Sequence, residues 1–121
     1  MNTIIEPSPP LVSIIIRTKN EERWIDHCLS AVATQSIKNY EIVLVDNNSD
    51  DRSVKIAKKY TDKIINVTDF YPGKAINEGI RASSGKFIVI ISGHCIPKNN
   101  MWLEHLIEPL EKDQTGLLAG V

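Results

Sequence analysis

Three short polar clusters carry the side chains best suited to chemistry. Arg17-Thr18-Lys19-Asn20-Glu21 joins two cations to a carboxylate, and Asp46-Asn47-Asn48 joins a carboxylate to two amides. Ser92-Gly93-His94-Cys95 brings a hydroxyl, an imidazole and a thiol. Carboxylates accept hydrogen bonds from N–H groups, and cations hold phosphate oxygens. A fourth candidate is Lys74, which follows Gly73 at a helix start, where free N–H groups also favour anions. Residue type alone leaves alternatives open. Asp46 could cap its own loop, Lys74 could be solvated, His94 could be a bonded loop residue, and Glu21 and Glu22 could serve only a helix dipole.

Several chemistries are excluded. No GxGxxG follows the first apolar run, so the dinucleotide-binding pattern fails, and GxxxxGK[ST] is also absent. GxSxG, HExxH and CxxC do not occur, and three scattered histidines build no triad. His94 and Cys95 are adjacent in the chain and point different ways, so they make no nucleophile–base pair. His27 and His105 fall on helical segments as surface residues.

The elements that must position these clusters alternate. Leu11–Ile16, Glu41–Val45, Lys63–Val67 and Lys86–Ile91 read as strands, the first and last as buried ones. Between them, Trp24, Ile25, Cys28, Leu29 and Val32 form a helical stripe, with Asn20 as its expected N-cap. Val54, Ala57 and Tyr60 mark a short second helix. A turn at Tyr71-Pro72-Gly73 opens a third helix that runs to about Ala82. Trp102, Leu103, Leu106, Ile107 and Leu110 mark a fourth, which Pro109 should limit. Both tryptophans are expected in the core. Strand–helix alternation of this kind predicts an α/β fold, three-layer α/β/α with a mainly parallel sheet. Ligands of such sheets bind beyond the carboxyl ends of the strands, where all three clusters fall. Residues 1–10, with three prolines, read as an extended lead-in, and 116–121 as the start of a further strand.

Composition agrees. The chain has 121 residues, which fits one domain, and 18 isoleucines against 8 leucines favour strands. A net charge of −1 gives no basic footprint for nucleic acid. Two cysteines 67 residues apart are no disulfide framework and point to a reducing, cytoplasmic setting. Apolar runs are far short of a membrane span, leaving peripheral attachment at the inner membrane face as the one expected membrane role.

Three ordered segments resemble a family. Val12-Ser13-Ile14-Ile15-Ile16-Arg17-Thr18-Lys19-Asn20-Glu21 is similar to the opening of family 2 glycosyltransferases. Gln35, with Tyr40-Glu41-Ile42-Val43-Leu44-Val45-Asp46-Asn47-Asn48-Ser49-Asp50-Asp51, resembles that family's "Q…EIIVVDDGSTD" stretch. Gly73-Lys74-Ala75-Ile76-Asn77-Glu78-Gly79-Ile80, with Ala82 and Gly85, resembles its "GKAxNxGIxxAxG" helix.

The resemblance implies a GT-A fold, incomplete at the C-terminus, with 11–121 as its donor-binding part. It implies transfer of a sugar from a nucleotide diphosphate, UDP- or dTDP-linked, to a carbohydrate or lipid-linked acceptor hydroxyl. Arg17, Thr18, Lys19, Glu21, Asp46, Asn48, Lys74 and Ser92 would bind the donor, with Asp46 reading the base and Lys74 facing the diphosphate. The family's Asp-x-Asp, which holds Mn²⁺ or Mg²⁺, is replaced by Ser92-Gly93-His94, leaving His94 as the metal candidate. The family's usual proline in the first turn is Arg17, a cation able to replace part of a metal's charge. The segment carrying the acceptor site and catalytic carboxylate has no counterpart, so the chain alone is expected to be inactive and to self-associate. A non-catalytic nucleotide-sugar module is the main alternative. A flavodoxin- or receiver-like domain is disfavoured by the basic Arg17-Thr18-Lys19.

Overall fold

Five consecutive residues of the first strand are buried on both faces, and the sheet forms around them. In the computed structural model, which describes residues 9–68 and 72–112, this strand is β1 (Val12–Thr18). It is followed by α1 (Ile25–Ala33), β2 (Tyr40–Asp46), α2 (Ser53–Ala57), β3 (Ile64–Asn66), α3 (Pro72–Ala82), β4 (Phe87–Ser92) and α4 (Trp102–Lys112). The expected lead-in over 1–8, Tyr71 of the expected turn, and the expected strand at 116–121 lie outside the described residues.

The sheet order is β3-β2-β1-β4 and every pairing is parallel. The three-layer α/β/α architecture follows from the connections. The chain steps from β1 to β2 to β3 and then reverses to place β4 on the other side of β1. Right-handed crossovers put helices on one face while the chain steps one way, and on the other face when it reverses. Accordingly Ile14, Ile16, Ile42 and Leu44 pack with residues of α1, α2 and α4, among them Ile25, Leu29, Ala57, Leu103 and Ile107. Ile15, Val43 and Val45 pack on the opposite face with Ala75 and Ala82 of α3.

Two glycines of α3 and its exit serve this packing. A methyl group at Gly79 would sit 2.7 Å from Ile15 Cγ2 and 3.1 Å from Val45 Cγ2. One at Gly85 would sit 2.5 Å from the Ser13 backbone nitrogen. A methyl group at Gly73 would meet nothing within 4 Å.

Polar residues lock the opposite end of the sheet from the candidate clusters. The Ser13 hydroxyl donates to Glu41 Oε2 (2.5 Å) and accepts from the Gly85 N–H (2.8 Å). Glu41 also accepts from Lys63 Nζ (2.6 Å) and the Ser84 N–H (2.6 Å). Burial opposes ionisation of Glu41, but these hydrogen bonds and the Lys63 charge outweigh it and hold the carboxyl below its ordinary range. On the other face, buried Gln35 donates to the carbonyls of Ala31 and Asn99 and accepts from the Leu103 N–H, which ties the end of α1 to the start of α4.

The structure corrects several expectations. Asn20 is not the N-cap of α1: the helix begins at Ile25, and Asn20 adopts a left-handed φ of 51°. Trp24 precedes the helix, stands outside its apolar stripe and is exposed, with Arg23 over its ring, whereas Trp102 packs half-buried against the core. α4 continues through Pro109 to Lys112, because Pro109 and His105, whose carbonyl loses its donor, both face solvent. β4 is not fully buried: Ile88 and Ile90 are 38% and 41% exposed, since α3 packs over β1 and β2 and leaves that face of β4 open.

Two outcomes are expected. Gly79→Ala overpacks a stiff core contact and should cost about 1–3 kcal/mol, while Gly73→Ala should leave stability unchanged or raise it. Paired thermal melts check this, and equal midpoints for the two variants would contradict the packing role. Glu41→Gln should cost about 1.5–3 kcal/mol at neutral pH, nearer the lower value because Lys63 is partly exposed. A carboxyl held low when folded stabilises the fold above its unfolded value, and that stability is lost as pH falls through the folded value. Denaturation of both proteins from pH 7 to pH 3 should therefore show the difference closing below roughly pH 4.3, the unfolded value. A constant difference would contradict it.

Candidate functional site

The carboxyl ends of β1, β2 and β4 meet where the chain reverses direction across the sheet. Thr18 stands beside Asp46 in register, and Arg17 beside Ser92. The ladder continues past the strands, with the Asn47 N–H donating to Thr18 O (2.8 Å) and the Gly93 N–H to Arg17 O (2.9 Å). The loops after β1, β2 and β4 therefore leave the sheet as neighbours.

The loops after β1 and β2 are stitched by two serine hydroxyls. Ser49 Oγ donates to Asp46 Oδ1 (2.6 Å) and accepts from the Asn20 N–H (2.8 Å). Ser53 Oγ donates to Asp51 Oδ1 (2.6 Å) and accepts from the Glu21 N–H (2.7 Å). Asp51 also accepts from the N–H groups of Glu22 and Ser53. Burial works against its ionisation, but these bonds prevail and hold its carboxyl below the ordinary range. Lys19 Nζ donates to Asn48 O (2.9 Å), and Asn20 Oδ1 accepts from the Asp50 N–H (2.9 Å). The turns require left-handed backbone at Asn20 (φ 51°) and Asn48 (φ 50°), a conformation asparagine adopts more readily than most side chains.

Most candidate residues thus meet at one end of the sheet. Asp46 is 2% exposed and holds Ser49 through both oxygens, Oδ2 accepting from the Ser49 N–H at 2.9 Å. A carboxylate has about four acceptor positions, so two remain. Glu21 Oε1 meets His94 Nδ1 at 2.8 Å. Ser92 is half-buried, and its carbonyl accepts from the Cys95 N–H (3.0 Å). Lys74 lies on the α3 face of the same end, one residue before Ala75, which packs with Val45 and Val67.

Two atoms stand out. Among the described residues, the buried side-chain nitrogen and oxygen atoms without a hydrogen-bond partner are Arg17 Nε and Thr18 Oγ1. Buried polar atoms are nearly always paired, so these two, one on each face of the sheet, stand out at the end where parallel sheets bind their ligands.

A thiol nucleophile is not among the site's resources at Cys28. Burial, with Cys95 and Glu21 adding repulsion, pushes that thiol up to about 12. Sequence reasoning missed Ser49 and Ser53 as the stitches, and missed the Glu21–His94 pair. The signals present were two serines four apart, each following an aspartate by two or three residues.

The model of glycosyl transferase family 2 matches residues 13–121. The chain belongs to this family. Glycosyltransferase AglE of Haloferax volcanii is 34% identical over 119 residues, covering 92% of this chain and 39% of that relative. A Methanococcus voltae dolichyl N-acetyl-α-D-glucosaminyl phosphate 3-β-D-2,3-diacetamido-2,3-dideoxy-β-D-glucuronosyltransferase is 34% identical over 121 residues, covering 91% and 37%. The chain therefore spans between a third and two-fifths of these curated relatives. Among solved structures, Pyrobaculum calidifontis mannosyltransferase PcManGT with GDP-Man and Mn²⁺ superposes with a TM-score of 0.77 at 21% identity, covering 85% and 33%. TarS 1-349 of S. aureus with UDP-GlcNAc gives 0.75 at 24%, covering 85% and 32%. These likenesses show the GT-A glycosyltransferase fold.

The residues of this family 2 chain do not fit the metal that the Asp-x-Asp pattern implies. Ser92-Gly93-His94 offers one hydroxyl, no side chain, and one imidazole, and brings no carboxylate of its own. Among the described residues, no three His, Cys, Asp or Glu side chains are grouped to hold an ion. Mg²⁺ and Mn²⁺ prefer carboxylate, carbonyl and water oxygens, and His94 brings such an ion a single ring nitrogen. Among the described residues, no helix is long and apolar enough to cross a membrane.

Loss of either serine should loosen the stitched loops. Ser53 is fully buried, and Ser53→Ala should cost about 1–3 kcal/mol. Ser49→Ala should cost a similar amount, because it frees an exposed N–H that water can reach but also strips a charge-assisted hydrogen bond from buried Asp46. Urea midpoints for the two variants check this, and an unchanged midpoint for either would contradict its stitching role.

Proposed function

We propose that this chain binds the nucleotide-diphosphate sugar of a family 2 glycosyltransferase, with residues 11–121 forming the donor-binding part. The observation that carries the reading is the orphaned pair, Arg17 Nε and Thr18 Oγ1, at the reversal point of a parallel sheet. A ligand there would meet Thr18 and Asp46 on one face of the sheet and Arg17 and Ser92 on the other, by strand alternation. In this reading the two remaining acceptor positions of Asp46 take the N–H of a pyrimidine base, Thr18 and Glu21 border the ribose, and Arg17 and Lys74 face the phosphates. Lys19 and Asn48 shape the rim through the bond between them.

The full enzyme would move the sugar to an acceptor hydroxyl. A carboxylate base activates that hydroxyl, and cationic groups stabilise the departing diphosphate. In this reading the acceptor side and the base lie outside the stretch of the relatives that this chain spans. The name of the Methanococcus relative, which acts on a dolichyl phosphate-linked sugar, supports a lipid-linked acceptor. The free Cys28 and Cys95 suit a reducing, cytoplasmic compartment. Ile88 and Ile90 on the open face of β4, and Ile80 on α3, are exposed and support self-association of the chain.

Calorimetric titration with UDP, dTDP and GDP tests the reading. Asp46→Ala removes a charge-assisted hydrogen bond worth about 1.5–3 kcal/mol, so affinity for a uracil or thymine nucleotide should fall about tenfold or more. Circular dichroism controls for folding, because Asp46 also holds Ser49. Unchanged affinity in a folded variant would remove Asp46 from the base pocket.

A further inference from the structure

Glu21 and His94 meet because the scaffold holds Glu21 in place. The Glu21 N–H donates to Ser53 Oγ (2.7 Å), and its carbonyl accepts from the N–H groups of Trp24 (2.9 Å) and Ile25 (2.8 Å). Its side chain packs beneath Gly93, where a methyl group would lie 3.1 Å from Glu21 Cγ and 3.2 Å from Ile25 Cδ1. Glycine at this position lets the carboxylate reach the His94 ring. The pair therefore stands on the α1 side of the sheet. Thr18 and Asp46 leave their strands on that same side, by alternation from Ile16 and Leu44, whereas Arg17 leaves on the other.

The contact decides what the ring can offer. A carboxylate only accepts, so Nδ1 donates to Glu21 Oε1 (2.8 Å) and Nε2 keeps its lone pair. The His94 side chain is 63% exposed against 18% for Glu21, so the carboxylate steadies the ring from within while Nε2 is open to a ligand. The neighbouring carboxylate of Asp46 likewise has only acceptor positions left. This side of the crevice asks for a ligand that donates hydrogen and carries no negative charge of its own. Phosphate oxygens fail that requirement. Sugar hydroxyls meet it.

We infer that His94 Nε2, held by Glu21, accepts the hydrogen of a sugar hydroxyl on the donor, from its ribose or from the sugar to be transferred. This rests on the donor-binding reading above and names one contact within it. His94 then selects among donors by whether a hydroxyl stands at that position.

The test is calorimetric titration of the 121-residue chain in EDTA at pH 8, where an imidazole is ordinarily neutral. The ligands are UDP, 2′,3′-dideoxyuridine diphosphate, UDP-glucose and UDP-GlcNAc; if the chain binds only dTDP or GDP, the same series carries that base. His94→Ala and His94→Phe, the second keeping a ring without nitrogens, should each lose about fivefold, the worth of one hydrogen bond. That loss should fall only on ligands that carry the hydroxyl. A loss for UDP that is absent for the dideoxy nucleotide places the ribose at Nε2. A loss for a UDP-sugar that is absent for UDP places the transferred sugar there. Equal losses for all four ligands mean a structural role and overturn the inference, as does unchanged affinity of both variants for all four. A His94→Ala loss that arises only when millimolar Mn²⁺ replaces EDTA assigns the ring to an ion and overturns it as well. Those three outcomes leave the donor-binding reading intact. Failure of UDP, dTDP and GDP alike to bind the unaltered chain overturns both.

Discussion

The double-sided burial of β1 is the constraint on which the rest of the molecule depends. Val12 to Ile16 are all enclosed, which an isoleucine-rich strand tolerates only at the centre of a sheet with helices above and below. The central place of β1 makes β2 and β4 its neighbours and forces the chain to reverse between them. The reversal in turn opens the crevice in which polar loops collect. Burial extends to Thr18 at the strand's end, but the supply of hydrogen-bond partners does not. The orphaned Arg17 Nε and Thr18 Oγ1 are a consequence of where β1 sits.

Much of this architecture was legible in the chain itself. Apolar runs bounded by polar clusters gave the strands, and the stripe Ile25, Cys28, Leu29, Val32 gave α1, because both patterns are local. What could not be read depends on partners distant in sequence. Asn20 looks like a helix cap because it precedes acidic residues, yet its backbone is turned left-handed by bonds to Ser49 and Asp50, about thirty residues away. Ile88 and Ile90 look like core because they lie in an apolar run, yet burial requires a covering helix, and α3 sits elsewhere. The clusters at the strand ends were visible as chemistry. That Glu21 would hold His94 rather than a helix dipole was not, since the two are separated by 73 positions.

The motif residues that carry the family likeness divide into two kinds. Gly79 and Gly85 allow α3 and its exit to lie against β1, Gln35 joins α1 to α4, and Glu41 pins the start of β4 through Ser84 and Ser13. These residues make the scaffold and lie away from the crevice or beneath it. Asp46 belongs to both kinds, because its carboxylate already organises a loop through Ser49 while lying at the ligand-binding end. A shared pattern therefore speaks for the fold first. Where this chain departs from the pattern, at Arg17 and at Ser92-Gly93-His94, the changes fall at the crevice and leave the scaffold untouched.

The two serine stitches give the crevice a shared entropy. Each hydroxyl belongs at once to a carboxylate of the β2 loop and to an N–H of the β1 loop, so neither loop opens without stripping bonds from the other. Local fluctuations of this kind are cooperative, and their freedom is lost together when either side is immobilised. A ligand that touched only Thr18 or only Asp46 would still quiet both loops. The ordering would then extend to Glu21 and through it to the His94 ring, so that immobilising one end of the crevice would still the other without any displacement of the backbone.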